Sequence, residues 1–358
     1  MRAAVLGLGA VGGFGCGVGD LESVAQNSVS TAQLVDMETI HGLLQAPGFM
    51  PSLSPLEQKI NRKFLRRSTR FMQLAILGAL LALEDTGNQD VVIKGKTGII
   101  LGTGLGATCN TLNFQSLSPR DESSNISPIS FSHSVDNVAS ASIAALLEKN
   151  TPNITINHFD MSVPLAFMTA LSWLQSGRVD SVLVGCVDEF SKVSAYHQSH
   201  SLGDGSDTPQ DGIGVGEGSV FFLLAPGNEF QTSYGYIREA RTWSCNSSVP
   251  EPENDCVYFW DHGFRVSGTE KLLQDRLKRY PSASYLGLYG YLPVGLGFTL
   301  AIAGLSQKNA WLYPSLQEQG RNFSIQEQEP LKGRKICCLR PGQAGEWGMV
   351  LLESEYCT

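Results

Sequence analysis

Apolar positions fall along the chain in blocks of two lengths. Short runs, AAVLGLG from Ala3, KTGIILGT from Lys96, NITIN from Asn153, VLVGCVDE from Val182 and SVFFLLAP from Ser219, have the length and β-branched content of buried strands. Longer apolar stretches, RFMQLAILGALLALED from Arg70, VPLAFMTALSWL from Val163 and GLGFTLAIAGL from Gly295, exceed strand length and predict helices. Ser162 and Pro164 are helix-start signals for the second of these, and Gly87 closes the first. Polar segments at 119–127, 203–212 and 246–256 read as surface loops. Strands alternating with apolar helices make this an α/β chain.

Between the strand at Asn153 and the helix at Val163 lies a sharp turn, and Asp160 stands on it. A residue there sits beside unpaired helix amides and the positive end of the helix dipole, where a thiol would be acidified into a nucleophile. A carboxylate in that place has a simpler role, capping the helix start for roughly 1 kcal/mol. Gly7, Gly9 and Gly12 follow the first strand in GxGxxG spacing, a dinucleotide signature on its own. The further glycines at 13, 15, 17 and 19 oppose the helix that such a site requires.

Composition narrows the function classes. With 358 residues, 42% hydrophobic content and 38 glycines, the chain can bury one large core or two similar half-domains. A net charge of −8 argues against nucleic acid and anionic membranes as partners, and Lys59 to Arg70, the densest basic run, is expected to form one helix face. No apolar run has membrane-spanning length and no cleavable segment precedes the first strand, so a cytoplasmic protein is expected. The eight cysteines show no CxxC pair, which indicates neither a disulfide framework nor a zinc site. His197 and His200 have HxxH spacing without an acidic third ligand, so no metal and no cofactor are expected.

The succession of strand, turn at Asp160, apolar helix, Ser176-Gly177 with Asp180, and the VLVGCVDE strand resembles the β-ketoacyl synthases of the thiolase superfamily. The ALEDTG helix end, the strand ending in GTG, and Gly216-Glu217-Gly218 agree with it in order and spacing. The resemblance implies a thiolase-like five-layer αβαβα fold with two similar halves, 1–230 and a shortened 231–358. It also implies that the segment from Ser127 through His133 to Leu147 lies at a dimer interface.

Family members use a cysteine, two histidines and a lysine. Counting back from Ser176, Gly177 and Asp180, the cysteine position falls on Asp160. His262 and Gly263 match the first histidine motif, with Glu270 where an Asp would stand. Leu286 occupies the lysine position and Tyr291 the second histidine position, between the retained Gly290 and Gly297. Three of the four groups are replaced, so no catalytic residue is expected. This pattern resembles the chain length factor of type II polyketide synthases, although most such subunits carry glutamine where Asp160 stands. The resemblance implies a non-catalytic subunit that forms a heterodimer with an active ketosynthase and shapes the polyketide tunnel, with Thr108, Leu112, Phe114, Phe131 and His133 at the tunnel or interface. The SFSHSVDN wording resembles the polyene branch of ketosynthases. An acyl carrier protein would dock mainly through the partner, and Arg66, Arg67 and Arg70 would matter little. Two other classes stay open: a homodimeric acyltransferase or decarboxylase using Asp160 and His262, and a pure scaffold subunit.

Overall fold

The computed structural model describes residues 1–39, 42–87, 95–116, 128–148, 150–191, 214–244, 253–262, 277–316 and 323–355. The glutamate at 270, the glycine at 263, the histidines at 41, 197 and 200, and the loops expected at 119–127 and 203–212 lie outside them. So do 246–252 of the third expected loop.

Among the described residues ten strands lie side by side in the main sheet, β1 (Ala3–Gly12), β2 (Thr97–Thr103), β3 (Asn153–Asn157), β4 (Ser181–Asp188), β5 (Gly218–Pro226), β6 (Tyr236–Ser244), β7 (Cys256–Trp260), β8 (Ser282–Ser284), β9 (Lys335–Pro341) and β10 (Glu346–Glu353), and a two-residue strand, Gly15–Cys16, folds back on β1. Their spatial order is β8-β7-β9-β10-β6-β1-β5-β4-β2-β3. The first five strands in chain order lie third-second-fourth-fifth-first, and the next five repeat that order. The pattern of sense repeats as well: β2 is parallel to β3 and β4, and β7 is parallel to β8 and β9. The last strand of each set then runs antiparallel to both its neighbours. The two sets meet through one short contact, Ala3 and Ala4 with Ile237 and Tyr236.

The apolar stretches form the expected helices. Those stretches become α2 (Arg70–Asp85), α6 (Ser162–Gln175) and α7 (Gly295–Asn309), and the described residues also form α1 (Val18–Asn27), α3 (Thr108–Ser116), α4 (Pro128–Ser132) and α5 (Val138–Leu146). Buried residues of α2 and α5 pack on one face of the first strand set. Residues of α6 and α7 share a single core with strands of both sets, which makes them a middle layer. A third cluster around Tyr258, Trp260 and Trp347 covers the far face of the second set. In α7 nearly every side chain is buried because sheets lie on both sides of it, and an all-round apolar helix is the sequence form of that placement. A side chain at Gly297 would collide with Cys186 of β4, so glycine is what lets α7 approach the sheet.

Two expectations need correction. The strand at Asn153 is not buried: β3 is the last strand of the sheet, its residues are exposed or half-buried, and Ile154 is 40% exposed. Its β-branched residues suit a strand, but nothing in the described chain covers its outer edge. The basic run from Lys59 to Arg70 is not one helix face either. It is divided between a helix at Ser54–Lys59, a helix at Arg62–Leu65 and the first residue of α2.

Arg70 is in any case not a free surface cation. Its guanidinium grips Glu217, whose side chain is fully buried, through Nε at 2.8 and 3.0 Å and through Nη2, and it also donates to the Pro51 carbonyl at 3.0 Å. Arg66 and Arg67 are exposed. Arg70→Ala is therefore expected to cost about 2–3 kcal/mol, lessened by the partial exposure of Arg70, while Arg66→Ala and Arg67→Ala stay within about 0.5 kcal/mol. Urea unfolding of the three variants checks this.

Candidate functional site

The turn between β3 and α6 is a single 3-10 turn, Phe159–Met161, entered through Phe159 at φ +47°. A bulky residue in that left-handed region is strained, so the turn is held from outside. Ser162 does part of this: its hydroxyl accepts from the His158 amide at 2.8 Å and donates to the Thr103 carbonyl at 2.7 Å, tying the turn to the end of β2.

Asp160 does the rest, though not as a helix cap. No side-chain capping bond is made at the start of α6. Instead Asp160 Oδ1 accepts from Arg340 Nε at 2.9 Å and Nη2 at 2.5 Å, and Oδ2 accepts from the Gln343 amide at 3.2 Å. Arg340 comes from β9, and its Nη1 is bound to Asp261 Oδ2, just past the end of β7. Asp261 Oδ1 accepts from the Tyr289 hydroxyl at 3.0 Å, which in turn lies 2.8 Å from Thr299 Oγ1 on α7. All three charged residues are at most 1% exposed. One arginine thus ties the turn from the first strand set to the second.

The electrostatics follow from one cation between two carboxylates in a dry centre. Burial pushes the Asp261 carboxyl up, and the Arg340 charge offsets this only in part. Burial by itself would lower the Arg340 value, but Asp261 and Asp160 outweigh it, so the guanidinium stays charged. Asp188, at the end of β4, is pushed up by burial to about 6 although it accepts from the amides of Leu105 and Gly104 and from the Thr103 hydroxyl.

The other positions are buried as well. Leu286, in a short helix at Leu286–Tyr289, is fully buried, and Tyr291 is 5% exposed. Gly290 between them has φ +76°, and a side chain there would strike Phe49 and the backbone at Gly214 and Gly216. His262 is buried, its ring stacked on Trp260 (5.7 Å between centroids) and tilted against Phe323 (5.6 Å). Asp160 has both oxygens engaged by Arg340 and Gln343. That arrangement suits a structural pin better than a base or nucleophile, because Oδ1 is taken up by the guanidinium and Oδ2 is shared with the Gln343 amide.

Thr108, Leu112 and Phe114 lie on α3, and Phe131 on α4, with the rings of Phe114 and Phe131 5.7 Å apart. Leu112 and Phe131 are exposed, as are Ile129 and Val135. This apolar face and the open edge of β3 both belong to the first strand set, joined through Asp136, which accepts from Asn157 at 2.8 Å and from the Ala107 amide ahead of α3 at 3.4 Å. His133 lines a groove of about 640 Å³ with Val135, Lys63, Arg67, Phe64 and Met72. Among the described residues one group has ligand-type side chains close together, Glu253, Asp255 and Cys256. Lys335 Nζ meets both carboxylates there, at 2.7 and 3.1 Å.

Sequence reasoning passed over Arg340 and Asp261. A signal was there: Arg340 is the one charge inside the run ICCLRPG, and a charge within a buried strand implies a buried partner of opposite sign.

The profile of the family described as β-ketoacyl synthase, N-terminal domain, matches residues 32–229, more than half of the chain. No curated protein sequence matches the chain. Its structure is similar to that of a β-ketoacyl synthase from Burkholderia phymatum, with TM-score 0.79, 14% identity and 99% of each chain covered. The ishigamide ketosynthase/chain length factor is similar at TM-score 0.78 and 16% identity, again over 99% of each chain. So is a type II PKS acyl-carrier protein in complex with its ketosynthase bound to the hexaketide, at TM-score 0.75, 12% identity and 99% of each chain. At such identities the likeness is one of fold, the thiolase-like α/β architecture with a large mixed sheet.

Proposed function

Because the chain belongs to the β-ketoacyl synthase family, we propose that it is the non-catalytic subunit of a ketosynthase pair, a chain length factor in a type II polyketide or polyene synthase. Its two halves meet near residue 230. The observation that carries this reading is the pin: the family's nucleophile position falls on Asp160, whose carboxylate is consumed by Arg340 and Gln343. The nucleophile position then offers no thiol to take up an acyl group, and buried Leu286 and Tyr291 at the lysine and second histidine positions offer no ammonium and no imidazole to act on malonate. Acyl loading and decarboxylation then fall to the partner.

The open edge of β3, with Leu112, Ile129, Phe131 and Val135 exposed on the same strand set, supports an active ketosynthase as the occupant of that side. An uncovered strand edge next to exposed apolar side chains is a pairing surface. Thr108, Leu112, Phe114 and Phe131 would then line or border the tunnel. The acyl carrier protein, which is the partner in one similar structure, would reach the pair mainly through the ketosynthase. The test is elongation by the purified chain, by its neighbouring ketosynthase and by the two together. Only the pair should extend acyl chains, and Leu112→Trp in this subunit should shorten the product. Acyl transfer or decarboxylation by the chain alone overturns the proposal.

One observation favours a second reading. The edge strand, Asn153-Ile154-Thr155-Ile156-Asn157, is the same read backwards. An antiparallel pair with its two-fold axis at Thr155 would set Ile154 opposite Ile156 and Asn153 opposite Asn157, matched apolar and amide pairs across an isologous contact between two copies. A homodimeric scaffold uses the same edge, and it predicts that Leu112→Trp leaves product length unchanged.

A further inference from the structure

Away from the Arg340 pin, the start of α3 rests on a second buried charge cluster. Two carboxylates, Glu189 just past β4 and Glu217 just before β5, are 3% and 1% exposed. Among the described residues one cation faces them, Arg70 at the start of α2, and its bonds to a carboxylate all go to Glu217. Glu217 Oε2 also accepts from the Phe190 amide at 3.0 Å. Glu189 has a helix start for a partner: it accepts from the Cys109 amide in the first turn of α3 at 3.3 Å, and the Cys109 thiol and the Phe71 amide also favour its charged form. Cys109 Sγ also lies 3.4 Å from the Phe190 carbonyl, a second tie from the same segment to α3. Among the described residues the groups facing Glu189 are therefore Glu217, Arg70 and Cys109, with Asp188 as its chain neighbour.

We propose that Glu189, Glu217 and Arg70 form a proton-operated latch on the first turn of α3. With a proton on Glu189, the cluster holds one carboxylate and one guanidinium and is balanced. Without it, two buried carboxylates compete for one arginine already bound to Glu217, and the second negative charge is relieved by lifting the α3 turn toward water. Burial and the Glu217 charge push the Glu189 carboxyl up to about 7, against the pull of the Cys109 and Phe71 amides. The folded chain then binds more protons than the unfolded one between about pH 4.5 and 7. The stabilisation is full below the unfolded value and is lost as pH rises through about 7. Because α3 carries Leu112 and Phe114, the latch sets how firmly that exposed face is presented near neutral pH. It acts within the chain whatever the partner.

Hydrogen exchange of residues 104–116 in the purified chain tests the latch. After correction for the intrinsic pH dependence of exchange, the linkage predicts that opening of this turn rises about tenfold from pH 6 to pH 8. Glu189→Gln, a permanently neutral side chain of the same shape, should remove that rise. Equal pH dependence in the two proteins overturns the proposal. Should the variant fold poorly, carboxyl carbon-13 titration of the unaltered chain decides: Glu189 titrating near 7 supports the latch, and titration below 5 overturns it.

Discussion

Arg340→Met is expected to cost about 3–5 kcal/mol of folding stability, a larger loss than any other single change at the centre. Methionine fills much of the arginine volume, so the loss would not come from a cavity. It would come from Asp160 and Asp261, both buried, left with no cation between them. For a chain of this size that corresponds to a fall of about 5 °C in the melting midpoint. The damage should be greatest at neutral and higher pH and should ease in mild acid, because Asp261, already pushed up by burial, takes up a proton once its guanidinium is gone. Replacing the whole centre, Asp160→Asn with Asp261→Asn and Arg340→Met, should recover most of the loss, since neutral groups of similar volume carry no uncompensated charge. Thermal melts of both proteins from pH 5 to 8 check this. A stable single variant would mean that the pin contributes little to folding.

Phe131→Asp should leave the fold intact and weaken association with the proposed ketosynthase partner by about 30-fold or more. Phe131 is 58% exposed in the chain alone, so a charge there costs the monomer little. On the pairing side, with Phe114 packed against it and Ile129 close in sequence, the same charge would be buried against apolar surface. Truncating or charging a central aromatic contact typically costs 2 kcal/mol or more of binding, which is the stated factor. Sedimentation of the mixed subunits gives the affinity and circular dichroism the fold. Unchanged association would place the partner elsewhere on the surface.

Much of the fold is legible from composition and periodicity alone, because a strand or helix buried on both faces needs no polar positions. β4, β5 and α7 are such elements, and their apolar runs mark their place in the middle of the layers. The edge strand β3 is less legible. Its NITIN run looks like a buried strand because β-branched residues suit any strand, and which strand ends the sheet depends on the order in space. The basic run at Lys59–Arg70 misleads for a related reason: charge density says nothing of where one short helix stops and the next begins.

At the site, the local turn was readable and its partners were not. Strand, turn and helix around Asp160 follow from nearby residues. A carboxylate at a helix start satisfies a capping rule so well that sequence reasoning stops there. The tertiary structure decided otherwise by bringing Arg340 and Gln343, about 180 positions away, against the same oxygen atoms. An ion pair across that separation has no periodicity to announce it. What the sequence by itself determined is the alternation of buried strands and helices, and a carboxylate, Asp160, on the turn between one such strand and its helix. What only the tertiary structure decided is what that carboxylate meets, because a buried charge must find its counterion wherever the packed chain offers one, and that choice is made in space.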